Sequence, residues 1–329
     1  MVALTTASDE AARGAASSPA IRTQGLAKRY RAITALAGLT MTVPRGEVFG
    51  FLGPNGAGKT TSVKLLVGLT RATSGEGWVL GAPIGDRETR RRIGYLPELF
   101  RYQDWLSARE VLGLHCSLAG IPGARRAGEM DRVLETVGLA ARARDRVGSF
   151  SKGMQQRLGL GAALLGEPEL VLLDEPTSAL DPVGRHEVRE IIRALKRRGT
   201  TVFLNSHLLT EVESVCDRAA VINRGSVIAE GTLQELLGSV RGARLRLAGL
   251  TGPVEDALRR FGPLSVAEGW HTVAGIEPDD VPAVVAEVVR LGARVYAVEP
   301  YHQNLEERFL ELLEEANHAP ADGRPVHAS

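Results

Sequence analysis

Cysteine is nearly absent from this chain. Cys116 and Cys216 are its only thiols, a hundred residues apart, and neither belongs to a CxxC pattern. That excludes a zinc ribbon and a disulfide framework, and it points to a reduced, cytoplasmic setting. Long apolar runs are absent as well. None approaches the roughly 18 to 20 residues needed to span a bilayer, so the sequence reads as soluble or peripheral. Neither sign of charge prevails: the formal net charge of +1 gives no electrostatic ground for expecting nucleic acid as a partner. Lysine is scarce, 5 of the 40 basic residues against 35 arginines, a coding bias to which no function attaches. The first twenty residues are rich in Ala, Ser and Thr and carry Asp9 and Glu10. They lack the basic start and apolar middle of a secretory signal. Residues 1–20 therefore read as a flexible tail, and residues 317–329, with two prolines, a glycine and no apolar periodicity, read the same way.

The rest is an ordinary globular balance. With 329 residues, 44% of them hydrophobic and 24% charged, the chain suffices for about two domains with a full core. Charge separates them. Residues 1–240 hold 31 basic and 25 acidic side chains, whereas residues 241–329 hold 9 and 14, which places a boundary near Gly238 to Gly242. Before that boundary, short apolar runs alternate with longer amphipathic stretches, the pattern of an α/β sheet domain. Gly199 to Asn205 and Arg218 to Gly225 read as strands. Residues of about 98–150 differ: Val111, Leu112, Leu114 and Leu118, then Val133, Leu134, Val137 and Leu139, have helical spacing, broken at Gly120 to Gly123. They form a helical subdomain inserted in the sheet domain.

The strongest chemical signal is Gly53-Pro54-Asn55-Gly56-Ala57-Gly58-Lys59-Thr60-Thr61, which matches GxxxxGK[ST]. It stands between the apolar run Val48 to Leu52 and a helical pattern at Val63, Leu65, Leu66, Val67 and Leu69. Glycine lets the backbone curl so that successive N–H groups converge, and the following helix adds its positive end. This is a phosphate cradle, in which Lys59 is placed to reach the β- and γ-phosphates and Thr60 to ligate Mg²⁺. In a chain of this composition, chance arrangement yields the pattern less than about once in a hundred.

The second signal is Leu170-Val171-Leu172-Leu173-Asp174-Glu175-Pro176. An apolar strand ending in two carboxylates puts them at the carboxyl edge of a parallel sheet, where ligands of such folds bind. Asp174 suits Mg²⁺, directly or through water. Glu175, aimed differently, suits a base that polarises the water attacking a γ-phosphate.

Further motifs follow in a fixed order. Phe150-Ser151-Lys152-Gly153-Met154-Gln155-Gln156-Arg157, Ser178-Ala179-Leu180-Asp181, His207 just after a strand, and Tyr30 ahead of the glycine loop together resemble the nucleotide-binding subunit of an ABC transporter. The resemblance covers residues 21 to about 235. It implies a P-loop NTPase fold of the ABC ATPase type, with ATP and Mg²⁺ as cofactors. It also implies that Tyr30 stacks on adenine, that His207 senses the γ-phosphate, that Ser151 and Gly153 contact the γ-phosphate held by another protomer, and that Asp181 belongs to a nucleotide-binding D-loop. Two chains, a homodimer or a paired ABC subunit, then sandwich two ATP molecules. Taken alone, Ser151 reads as a helix cap beside a positive helix end, His207 as a surface histidine and Tyr30 as a half-buried aromatic.

Two motifs depart from the family pattern. Lys152 and Met154 alter the signature usually written LSGGQ, a form found in members that work with export-type permeases. In Ile93-Gly94-Tyr95-Leu96-Pro97-Glu98, Glu98 stands where glutamine is usual, bringing an extra negative charge to the metal site. Just beyond, Phe100, Tyr102 and Trp105 are either interface anchors or the seat of the helical subdomain. In the family, the groove beside this segment receives a cytoplasmic helix of the membrane subunit.

Residues 241–316 alternate strand and helix patterns, closing with an amphipathic helix from Leu305 to Leu313. This small α+β domain resembles the C-terminal domain of subunits serving ABC-2 type exporters. Its role in packing, regulation or partner choice is open. The resemblance implies an ATP-hydrolysing subunit of an exporter with a separate permease, peripheral on the inner face of the cell membrane. A non-transport ABC ATPase regulating a membrane complex is the alternative. An ABC ATPase acting on ribosomes or DNA ranks below both, since there is one phosphate loop and no coiled-coil or zinc insertion.

Overall fold

The computed structural model describes residues 18–178, 180–238 and 241–318. They divide into two compact units: residues up to Leu233 with those from Leu312 on, and Gln234–Glu311. The division falls ahead of the charge shift at residue 241, because packing and not charge draws the line.

In the first unit a six-stranded sheet has the order β10-β9-β3-β8-β7-β6. Its strands are β3 (Val48–Leu52), β6 (Ile93–Leu96), β7 (Leu170–Asp174), β8 (Thr201–Asn205), β9 (Arg218–Asn223) and β10 (Ser226–Thr232). All pairings are parallel except β10 with β9. Every residue of β3, β7 and β8 is buried, as expected of a sheet covered on both faces whose strands read as continuous apolar runs. Phe203 joins Phe49 and Phe51 at ring-centroid distances of 5.9 and 5.2 Å. Because these strands are parallel, β3, β7 and β8 end on the same edge, and each is followed there by a segment that carries a chemical motif.

A second, antiparallel sheet has the order β2-β1-β4-β5, from β1 (Ile21–Tyr30), β2 (Ile33–Val43), β4 (Ser74–Val79) and β5 (Ala82–Pro83). The sequence reading begins the folded domain at residue 21, but Ala20 is fully buried. Its N–H donates to Val43 O and its carbonyl accepts from Leu80 N–H, both at 2.8 Å. The expected tail thus ends before residue 20, and its residues 1–17 lie outside the described residues.

The helical subdomain consists of the helices Ala108–Leu118 and Gly123–Thr136. Ser107 caps the first reciprocally with Glu110, a capping box. Val111, Leu112, Cys116, Val133 and Leu134 are buried, so the helical spacing legible in the sequence faces a core.

The second unit runs strand, helix, strand, strand, helix, strand, a split β-α-β arrangement. Its sheet order is β12-β13-β11-β14, with β11 (Arg241–Ala248), β12 (Leu264–Ala267), β13 (Trp270–Ala274) and β14 (Arg294–His302), all antiparallel. Ala243, Leu245 and Val273 share a core with Val254, Leu258, Val284 and Val288 of the two helices. The last helix runs Leu305–His318, past the expected start of the C-terminal tail at residue 317. Residues 319–329 of that tail lie outside the described residues.

Candidate nucleotide site

The loop after β3 is built from close backbone approaches. A Cβ at Gly53 would lie 2.4 Å from the carbonyl oxygen of Ile222 on β9, so a side chain there forces the neighbouring strand away. Gly58 has φ +105°, and a Cβ there would lie 2.5 Å from Ala35 O, leaving glycine as the residue that fits. The Gly225 N–H donates to Ala57 O at 2.9 Å, tying the loop to the β9–β10 turn. The helix Lys59–Leu66 then starts with Thr60 and Thr61 half-buried in its first turn. Pro54 and the exposed Asn55 complete the curve. Lys59 is buried, and its ammonium donates to Gly53 O at 2.7 Å and Pro54 O at 3.2 Å. Burial lowers the Lys59 pKa, and the charges of Glu175, Asp174 and Glu98 oppose that shift. The lysine of β3's loop and the acids of β7 therefore feel one another directly.

β7 delivers Asp174 beside Asn205, its parallel partner at the end of β8. The Asn205 amide donates to Asp174 Oδ1. Burial raises the Asp174 pKa, the hydrogen bond from Asn205 holds it down, and Glu98 adds to the rise. Glu175 leaves the strand with φ +54°, a left-handed conformation that costs a non-glycine residue about 1–2 kcal/mol. Its N–H donates to Asn205 O at 2.9 Å. Its carboxylate is buried and takes a hydrogen bond from His207 Nδ1 at 2.6 Å. Burial raises the Glu175 pKa while His207 pulls it down. Glu175 is thus a carboxylate withdrawn from water but steered by one half-exposed imidazole.

Glu98 is exposed on the segment after β6. Burial, with the charges of Asp174 and Glu98 adding to it, pushes the Tyr95 hydroxyl up to about 12. Tyr30 ends β1 with 44% of its surface exposed, and the Lys28 ammonium sits 4.8 Å from its ring centroid. Ser151 caps the helix Lys152–Ala163, accepting from Met154 N–H at 3.2 Å. Gly153 lies in that helix's first turn, with Leu180 Cδ2 3.4 Å from where its Cβ would stand. Asp181 caps Pro182–Arg197 by accepting from Gly184 N–H at 2.8 Å. Ala179, beside it, lies outside the described residues.

The structure thus gathers Lys59, Asp174, Glu175 and His207, with Glu98 within electrostatic reach. It leaves Ser151, Gly153 and Asp181 as separate helix starts, with no hydrogen bond to that group among the described residues. Asn205 is the member that motif reading missed. Its one sequence signal is a polar residue closing the run Val202-Phe203-Leu204, two positions before His207.

A glycine cradle, a helix start and buried carboxylates on one edge of a parallel sheet define a P-loop nucleotide hydrolase. Comparison with known proteins agrees. Residues 36–178 match the family model described as ABC transporter. The chain is 42% identical over 306 residues to an uncharacterized ABC transporter ATP-binding protein of Synechocystis, covering 90% of this chain and 85% of that one. It is 42% identical over 275 residues to the daunorubicin resistance ATP-binding protein DrrA3 of Streptomyces coeruleorubidus, covering 78% and 86%. Among solved structures, the dimeric post-hydrolysis state of the ATP-binding cassette MJ0796 bound to ADP and Pi superposes with a TM-score of 0.60 at 25% identity. That match covers 65% of this chain and 99% of the other. The chain belongs to the ABC transporter ATP-binding proteins, and it is an ATPase.

Proposed function

We propose that this ATPase powers export through a separate ABC-2 type permease, on the cytoplasmic face of the membrane. The observation that carries the reading is the Glu175 carboxylate, buried and held by His207 beside Asp174 and Lys59. Such a group suits the base for an attacking water. Lys59 binds the β- and γ-phosphates, and His207 keeps Glu175 aimed and senses the γ-phosphate. Tyr30 offers an exposed ring to adenine. The oxygen donors fit Mg²⁺: the Thr60 hydroxyl and one carboxylate, Asp174, are few, but this ion takes most of its shell from water and phosphate. Among the described residues no group of three or more His, Cys, Asp or Glu is placed to hold a metal ion. Bound Mg²⁺ supplies charge neutralisation on the phosphates.

Glu98 brings a third carboxylate towards this set. Glu98→Gln is expected to shift the Mg²⁺ concentration that half-activates ATP hydrolysis, and superimposable Mg²⁺ titrations of the two proteins would reject the role.

Dimerisation is supported by Ser151, Gly153 and Asp181, none of which is hydrogen-bonded to Lys59, Asp174, Glu175 or His207 among the described residues. On this reading the exposed Ser151 and Asp181 and the half-buried Gly153 serve a nucleotide on a second chain, a homodimer or a paired subunit, so nucleotide binding becomes association energy. The MJ0796 cassette is dimeric, which supports this. DrrA3 is named for daunorubicin resistance, which supports an export role here. Among the described residues no helix is long and apolar enough to cross a membrane, and the reading assigns the membrane path to the permease.

A surface for that partner lies next to the site. A cavity of about 870 Å³ is lined by Arg87, Arg91, Tyr95, Leu99, Phe100 and Leu114, among others. Phe100 and Tyr102 are turned inward, 5.2 Å apart, with Tyr102 also 6.2 Å from His115. They seat the helical subdomain. Trp105 remains 70% exposed, so it is the aromatic left for an interface. Where the neighbouring open reading frame encodes a polytopic membrane protein, the experiment is reconstitution with it. Permease should stimulate ATP hydrolysis, and Trp105→Ala should remove most of that stimulation and spare the basal rate. An equal loss of both rates would reject the assignment of Trp105, and no stimulation of the parent protein would reject the exporter reading.

A further inference from the structure

Asn205 closes β8 after three apolar residues, at a position 1% exposed. It touches both acids of the neighbouring motif. Its main-chain carbonyl accepts the Glu175 N–H, and its side-chain amide donates to Asp174 Oδ1. Chemistry fixes which way the amide faces. An ionised carboxylate has acceptors only, so the NH₂ must face Asp174. The other end, Oδ1, is then buried with no protein partner among the described residues. A buried acceptor left unfilled is costly, and an apolar side chain like those at the three preceding positions would avoid that cost.

We infer that Asn205 is a positioning residue for ATP hydrolysis, its Nδ2 fixing the Asp174 carboxylate for Mg²⁺ and its Oδ1 accepting a hydrogen bond from a water that enters with the metal–nucleotide. This rests on the reading of Asp174 as a metal-binding carboxylate. The amide is small and planar, so the oxygen lies on the same group that grips the carboxylate. Partners of this kind orient a ligand without touching the ion, and their loss lowers metal affinity more than it disturbs the fold.

The test reads equilibrium binding of a fluorescent, non-hydrolysable ATP analogue, titrated with Mg²⁺ and repeated in EDTA. Asn205→Leu is expected to raise the half-saturating Mg²⁺ concentration about 10-fold, with affinity in EDTA held within about twofold. Should that variant fail to fold, Asn205→Ala removes the same donor and acceptor in a smaller volume and is read the same way. A parent-like Mg²⁺ titration overturns the inference. So does an equal loss with and without metal, which marks a packing role. Asp174→Ala separates the two levels. If it abolishes the Mg²⁺ dependence while Asn205→Leu keeps it, the inference about Asn205 fails alone. If Asp174→Ala itself keeps the dependence, the metal reading fails and this inference with it.

Discussion

Glu175→Gln is expected to slow ATP turnover by roughly 10²–10⁴-fold, the usual contribution of a positioned general base, while ATP binding persists. Glutamine matches the shape of the buried Glu175 side chain, and its carbonyl oxygen still accepts from His207 Nδ1, whose present bond is 2.6 Å. The pocket is therefore kept and only the basicity is lost. Burial already raises the Glu175 pKa, so a neutral isostere removes a desolvation penalty and leaves the folded state no less stable. ATP-loaded protein should then accumulate as a dimer that does not dissociate. Single-turnover hydrolysis and size-exclusion chromatography with ATP or ADP check both halves. A variant that turns over at the parent rate would refute the role of Glu175.

Lys59→Ala is expected to weaken ATP binding by at least about 100-fold, because charge-assisted hydrogen bonds to phosphate contribute about 1.5–3 kcal/mol each. A second effect follows from where the lysine sits. Its ammonium holds Gly53 O and Pro54 O, at 2.7 and 3.2 Å, so the variant also loses the internal brace of the loop. Thermal unfolding without nucleotide should therefore move downward slightly, and ATP should no longer move it up as it does in the parent. Fluorescent-nucleotide titration and thermal melts with and without ATP measure the two effects. Undiminished affinity would remove Lys59 from the site.

How much of this was legible beforehand depended on whether a residue's role is local. The glycine loop announces itself because only glycine fits where Gly53 meets Ile222 O and where Gly58 takes φ +105°. Asp174 and Glu175 were equally readable, since an apolar strand that ends in two acids has few other uses. Asn205 was not, because its partner is fixed by strand pairing across 31 positions, which no local pattern encodes. The antiparallel sheet was faint for a related reason. Register shifts interrupt β1 at Thr23, Leu26 and Lys28, so its alternation breaks before it can be read. In the second unit β12 escaped notice as well. The turn to β13 is Glu268-Gly269, both at positive φ, 50° and 79°, the geometry of a two-residue type I′ hairpin. Glutamate in its first position hides a turn that asparagine or aspartate would have signalled. A nucleotide role for Ser151, Gly153 and Asp181 is suggested only by family resemblance, because within one chain Ser151 and Asp181 are ordinary helix caps and Gly153 a first-turn residue.

The grip of Lys59 on its own loop also bears on how fast this machine can cycle. Two of the ammonium's three N–H groups already have carbonyl acceptors, so an arriving triphosphate competes for donors in use. Binding is an exchange, and what the lysine contributes to affinity is the difference between phosphate oxygens and peptide oxygens. If Lys59 holds phosphate as proposed, the same carbonyls would take the ammonium back on departure and favour release. A motor that must let go of ADP many times gains from such a rival acceptor, which trades tightness of hold for speed of reset.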